Sequence, residues 1–486
     1  MRLLSSSRKL VCPLALVLLV LACSDACYAQ SAANEEPQYL AFQVFTGSPN
    51  PNTAFGADPV LGEIPSQATL SDFAGDLISR IGTTGQGREG ATRKLALIFG
   101  PLSFDHSDAQ IQHLIATAFE IALERHIAIG FHIDDSMFWG RRRDLLADPA
   151  NVERAGWTDP PANGRRLDWG PHPTQAPPPM CINSSAIERE VRKRAAVIGD
   201  AVSAGVFKLR AAHEEGLFAA VLAGWETQIG RDFPDNRPLG FCALANRGLK
   251  PGATKTELYD ARVAAVGDFI SLWTGALVDA GVAENKIYSH VAFAMKASLE
   301  PKKNFAPPSV AFGLHRRAGF STYPSPGLFD EIAATVQAHG GAPWASSEGA
   351  NVLLVFGDME SGMSMETYLA RLFNRGAKLV TIFGWGLGDK DYVFRKAAEN
   401  PAALEAYRKF LRGQALVEGP VTPTIVDRVQ QKIRRIQSEL PGWVQRNGSQ
   451  AKVKQLTDSL TAAMEIGDPV RVETAEDAIL ALIAGH

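Results

Sequence analysis

Phe218-Ala219-Ala220-Val221-Leu222-Ala223-Gly224-Trp225 is an uncharged run of strand length that ends directly on Glu226-Thr227-Gln228. Seven other short apolar, β-branched or aromatic runs share its character: residues 39–45, 94–100, 127–133, 288–293, 319–323, 343–347 and 378–385. Longer amphipathic stretches separate them, at 71–81, 107–125, 187–204, 256–280, 327–339 and 363–374, and these read as helices. Ser107-Asp108-Ala109-Gln110 and Thr256-Glu257 supply N-terminal capping chemistry for two of them. Strands alternating with helices in this way predict a (β/α)8 TIM barrel over residues 37–415, with long loops on its C-terminal face. The rival, a doubly wound open sheet, lacks its usual support, because no GxGxxG follows the first strand. The glycine-rich stretch 82–90 comes after a helix instead and reads as a solvated loop. From about Leu416 the pattern changes to charged helical segments at 427–440, 450–464 and 475–484, a C-terminal helical extension over 416–486.

The 486 residues carry 49 Lys and Arg against 52 Asp and Glu, a formal charge of -3, so no nucleic-acid-binding surface is written into the balance. Residues 1–29 have the form of a signal peptide: Arg2, Arg8 and Lys9 precede an apolar run at 11–22, and small residues end at Ala29. The expected location is therefore secreted or periplasmic, with a lipid tether through Cys23 as the alternative and no membrane span downstream. Three of the five cysteines, Cys12, Cys23 and Cys27, fall in that leader. The remaining pair, Cys181 and Cys242, reads either as one disulfide or as two buried thiols.

On a barrel of this kind the working face lies at the carboxyl ends of the strands. Glu226 closes the fourth run and Glu348 the seventh, each directly after strand residues, where an unpaired carboxylate is costly to bury without a function. Trp225, Trp344 and Trp385 lie at the ends of runs four, seven and eight, and Trp139, Trp157 and Trp169 in the segment after run three. Flat rings beside carboxylates suit sugars, whose apolar faces stack while carboxylates and amides take the hydroxyls. The segment 138–183, with Arg141 to Arg143, Arg165, Arg166, Asp168 and His172, reads as a cleft wall that a Cys181–Cys242 bridge would staple. His132, Asp134 and Asp135 at the end of run three form a cluster for substrate hydroxyls, with a structural His132 as the competing reading. Tyr323 reads as a partner of Glu348 or as a rim aromatic, and Gln228 as a further substrate contact. No metal ligand set and no cofactor motif is evident, since an HExxH helix and an HxH pair are missing.

The segments Gly224-Trp225-Glu226-Thr227-Gln228, Ser346-Ser347-Glu348-Gly349 and Phe383-Gly384-Trp385 resemble those of the (β/α)8-barrel glycoside hydrolases with catalytic glutamates after strands four and seven. The resemblance spans residues 37–415. It implies a retaining glycosidase in which Glu226 is the acid/base, Glu348 the nucleophile, Tyr323 the nucleophile's partner and Trp385 the platform beneath the sugar. The implied partner is an oligo- or polysaccharide. Two departures stand out: Trp225 replaces the usual Asn before the acid/base, and run two ends in Gly100-Pro101 where the group commonly has Arg. Two other readings remain. One is a carbohydrate-binding barrel without turnover, and the other a metal-dependent hydrolase using His132, Asp134, Asp135 and His290.

Overall fold

A computed structural model describes residues 36–46, 64–83, 92–167, 174–292, 304–323, 328–341, 343–355, 358–361, 363–388, 390–420, 425–447, 450–466 and 469–485. The leader with Cys23, and Asp168, Trp169 and His172 of the cleft wall, lie outside these residues.

All eight expected runs are strands. They are β1 (Gln38–Phe45), β2 (Arg93–Leu102), β3 (Ala128–Ile133), β4 (Phe218–Ala223), β5 (Ile287–Ser289), β6 (Gly319–Thr322), β7 (Trp344–Gly349) and β8 (Ala377–Ile382). They form one sheet in the order β5-β4-β3-β2-β1-β8-β7-β6, with every pairing parallel. The outer two then meet. Ser289 N–H donates to Arg317 O (3.0 Å), Arg317 N–H to Ile287 O (2.9 Å), Val291 N–H to Gly319 O (3.0 Å) and Ser321 N–H to Val291 O (3.0 Å). The result is a nearly closed parallel barrel. Gly319 permits this seam, because a Cβ there would lie 2.0 Å from Ser289 O.

The strands are apolar throughout because both faces are covered. β3 and β4 are buried at every position. Outside, Phe119 packs on Phe131 and Phe218 at ring separations of 5.9 Å. The covering helices include α1 (Gln67–Ile81), α2 (Asp108–Arg125), α3 (Ser185–Ala211), α4 (Lys255–Asp279), α5 (Leu328–Ala338), α6 (Met365–Asn374), α7 (Val393–Glu399) and α8 (Pro401–Leu411). Ser107 and Gln110 close a capping box on α2 as expected, whereas α4 is capped by Thr254 with Glu257, two residues before Thr256. Three further helices follow, α9 (Ile425–Asn447), α10 (Gln450–Ile466) and α11 (Pro469–Ala484). Arg428 and Lys432 of α9 both reach Glu473 of α11.

The segment after β3 carries a two-stranded ribbon, Arg165–Leu167 against Thr174–Ala176. Cys181 and Cys242 are bridged, with Cα atoms 5.7 Å apart, so this wall is tied to the segment that follows β4.

Candidate active site

Glu226 stands where the chain leaves β4, and its backbone is left-handed (φ 52°) after a left-handed Gly224 (φ 115°). A non-glycine residue in that region costs of order 1 kcal/mol or more and persists only where its surroundings enforce it. Here Asp135 enforces it from the end of β3. Its Oδ1 accepts from Trp225 N–H (3.3 Å) and its Oδ2 from the Thr227 hydroxyl (2.6 Å), while Thr227 N–H donates to His290 O (3.3 Å). Both neighbours of Glu226 are thereby fixed, and its half-buried side chain is turned into the mouth.

Glu348 lies within β7, in register with Ser321 of β6. Tyr323 donates its hydroxyl to Glu348 Oε1 at 2.7 Å, and Ser321 donates to Glu226 Oε1 at 2.5 Å. Alternate residues of the β6 end thus serve the two carboxyl groups in turn. Glu348 Oε2 is buried and has no hydrogen-bond partner among the described residues. Burial, then the charge of Glu226, pushes the Glu348 carboxyl from 4.5 up to about 8, against the pull of the Tyr323 hydrogen bond. Tyr323 is pushed well above its ordinary value by burial and by the charge of Glu348. The charge of Glu226 thus opposes ionisation of Glu348, so the two carboxyl groups influence one another across the mouth.

Arg165 reaches the same region from the ribbon and is 2% exposed. Burial lowers its pKa, and the charges of Asp134, Asp135 and Glu226 oppose that shift. Its Nη2 is buried without a partner among the described residues. In the sequence it is one of several wall arginines, and nothing local separates it from Arg141 or Arg166.

Several sequence expectations need correction. Asp134 and Asp135 do not present free carboxylates to a substrate. Asp134 accepts from the amides of Ser136, Met137 and Phe138 at 3.3, 2.8 and 2.6 Å, and Asp135 holds the Glu226 turn. Burial, then the charge of Asp135, pushes Asp134 up to about 7. His132 takes the structural alternative. It is fully buried, 2.9 Å from His290 Nδ1 through its Nε2, and lies flat against Trp225 at 4.3 Å. Trp225 therefore spends one ring face on His132 and is itself 5% exposed, so it offers no open platform to a sugar.

Trp139, Trp344 and Trp385 are not open platforms either. Trp139 is fully buried and donates its indole N–H to Pro178 O. Trp344 opens β7 instead of closing it, so it sits at the opposite end of the barrel from the mouth and bonds Arg375 O. Trp385 is 3% exposed, packed edge-on against Phe42 with the Arg80 guanidinium over its ring at 4.3 Å. Phe42 in turn packs on Tyr407 of α8, which places that group in the outer layer. Phe383, just past β8, is half-buried beside this region, 6.5 Å from Tyr323 and 5.6 Å from Phe45. Gln228 is half-buried just past Glu226.

Fold and site together define a parallel β/α barrel with a coupled carboxyl pair at the ends of its fourth and seventh strands. No known protein family and no curated protein sequence matches the chain. Similar solved structures include the catalytic domain of a GH26 endo-β-1,4-mannanase from Bacillus sp. JAMB-750, at 13% identity and TM-score 0.35 over 80% of this chain and 90% of that one. A GH5 broad-specificity endoglucanase from Bacteroides salanitronis aligns at 12% identity and TM-score 0.37, over 78% and 93%. A GH26 β-mannanase from Bacteroides ovatus aligns at 13% identity and TM-score 0.33, over 80% and 92%. At these values the likeness carries no argument about the chemistry of this chain.

Proposed function

We propose that this protein is an exported glycoside hydrolase that works by a retaining two-carboxylate mechanism, with Glu348 as nucleophile and Glu226 as acid/base. The observation that carries the reading is the carboxyl pair itself: two glutamates from the ends of different strands, electrostatically coupled and served by separate hydroxyl donors. A proton on Glu226 passes to the glycosidic oxygen as its bond to the anomeric carbon breaks, while the Glu348 carboxylate, held by the Tyr323 hydrogen bond, attacks that carbon. Glu226 then serves as base toward water in the second half of the cycle. The Cys181–Cys242 bridge fits export to an oxidising compartment.

The test is hydrolysis of a panel of aryl glycosides, with the anomeric outcome followed by proton NMR. Glu348→Gln is expected to lose turnover on every substrate by at least about 1,000-fold, and Glu226→Gln to spare substrates with good leaving groups. Two variants as active as the wild type would overturn the assignment. A carbohydrate-binding barrel without turnover instead predicts sugar binding that survives both substitutions. Against that alternative, Trp139, Trp344 and Trp385 are buried and lost to the aromatic face it needs.

A further inference from the structure

Four buried polar side chains run in a line from the barrel interior to Glu226, and the mechanism above uses none of them for chemistry. Gln43 is on β1, His132 on β3, His290 just past β5 and Ser321 on β6. Gln43 Oε1 lies 3.4 Å from His132 Nδ1, and His132 Nε2 lies 2.9 Å from His290 Nδ1. His290 Nε2 is 2.8 Å from Ser321 Oγ, which is 2.5 Å from Glu226 Oε1. None of the four is more than 4% exposed.

Because each contact along the line holds one hydrogen, its own bonds have two complete directions, with the Gly224 carbonyl a further acceptor beside both rings. If Ser321 donates to Glu226, then His290 donates through Nε2 to Ser321 and accepts at Nδ1 from His132 Nε2–H. His132 Nδ1 then needs a donor, and the Gln43 amide group, whose Nε2 is buried without a partner among the described residues, supplies it once the amide is turned over. In the reverse direction a protonated Glu226 donates to Ser321, and the Gln43 NH2 stays unmatched in the interior. A buried unmatched donor is rarer and costlier than an under-used carbonyl oxygen, so the outward direction wins. Both rings are neutral throughout, because burial pushes His132 down to about 3 and His290 well below its ordinary value.

We propose that Gln43, His132, His290 and Ser321 form a neutral positioning string whose hydrogen bonds all point toward Glu226, holding its carboxyl group in one rotamer and favouring its ionised form. The string orients and does not conduct, since Gln43 can neither give nor take a proton. Resting on the acid/base reading of Glu226, it favours the half of the cycle in which that residue acts as base. Among the described residues, groups whose charge bears on Glu226 include Arg165 from the ribbon, Glu348 from β7 and Tyr323 after β6, with Asp134 and Asp135 sharing Arg165.

The experiment is a pH titration of the full chain carrying 13C-carboxyl glutamate, the Glu226 resonance being identified by its loss in Glu226→Gln. Ser321→Ala is expected to raise the Glu226 midpoint by about one to two pH units, the effect of losing one hydrogen bond to a charged group. Ser321→Thr, which keeps the hydroxyl, should restore it. His290→Gln should raise the midpoint in the wild-type background and leave it unmoved in Ser321→Ala, because His290 acts only through Ser321. An unchanged or lowered midpoint in Ser321→Ala overturns the string, as does an equal His290→Gln shift in both backgrounds. Should His290→Gln not fold, the two Ser321 variants decide alone. The titration needs no turnover, so a wild type that hydrolyses no glycoside refutes the function proposed above without touching this result.

Discussion

Replacing Glu348 by glutamine should stabilise the protein in mildly alkaline buffer while removing its proposed activity. Burial pushes this carboxyl from 4.5 up to about 8, so between those values the unfolded chain has released a proton that the folded chain retains. Folding stability therefore falls as pH climbs from about 4.5 to about 8 and is level beyond that, with the contribution fully present only on the acid side. A gap of about 3.5 pKa units is equivalent to about 5 kcal/mol at full desolvation. Glu226 is half-buried, and water reaching it through the cleft screens part of that sum. Glutamine is neutral at every pH and keeps an oxygen for the Tyr323 hydroxyl. We expect Glu348→Gln to match the wild type within about 1 kcal/mol at pH 4 and to exceed it by about 2–5 kcal/mol at pH 8.5. Urea unfolding followed by tryptophan fluorescence at pH 4, 6 and 8.5 measures this directly. Parallel stability curves for the two proteins, or a variant that is weaker at pH 8.5, would refute the reasoning.

Tyr323→Phe removes the one donor seen on Glu348, so the Glu348 midpoint should rise by a further one unit or so, read as a shift of its carboxyl resonance to higher pH. Reduction of the Cys181–Cys242 bridge, which spans 61 residues, should cost about 4 kcal/mol and show as a lower melting temperature in dithiothreitol. Trp344→Ala should cost about 3–5 kcal/mol of stability with KM unchanged, because the ring is buried at the start of β7. Phe383→Ala should do the reverse, raising KM several-fold while stability moves by about 1 kcal/mol, as calorimetry and initial rates on one preparation would show.

The barrel was readable because buried parallel strands are apolar on both faces, so the run ending at Trp225 looks like a strand whatever its partners. Strand ends were less readable. Trp344 is second in the run 343–347 and first in Trp344–Gly349, so by either boundary it belongs to the start of the strand, and its place at the mouth was a misreading of which end of the run faces the cleft. Trp385 misled because direction after β8 depends on alternation: Thr381 and Phe383 share one side, and Gly384 turns Trp385 into the helix layer. Asp134 and Asp135 looked available because backbone amides that consume a carboxylate leave no mark in a sequence. His132 and His290 are 158 positions apart, and their contact exists only once the strands between them have closed. Their shared place at the ends of inward-facing runs was the available clue.

The seam between β5 and β6 has its own consequence for how the molecule breathes. β5 is three residues long, and the seam rests on four backbone hydrogen bonds with Gly319 wedged against Ser289. The His290–Ser321 hydrogen bond crosses that same line. In amide hydrogen exchange, the Ser289, Val291, Arg317 and Ser321 protons should be the first of the barrel strands to be lost, since few bonds must open to release them. Each such opening also parts Ser321 from the ring behind it. A ligand that engages Glu226 would then slow exchange at these four amides, although none of them need touch it, and the seam would report occupancy of the cleft from behind.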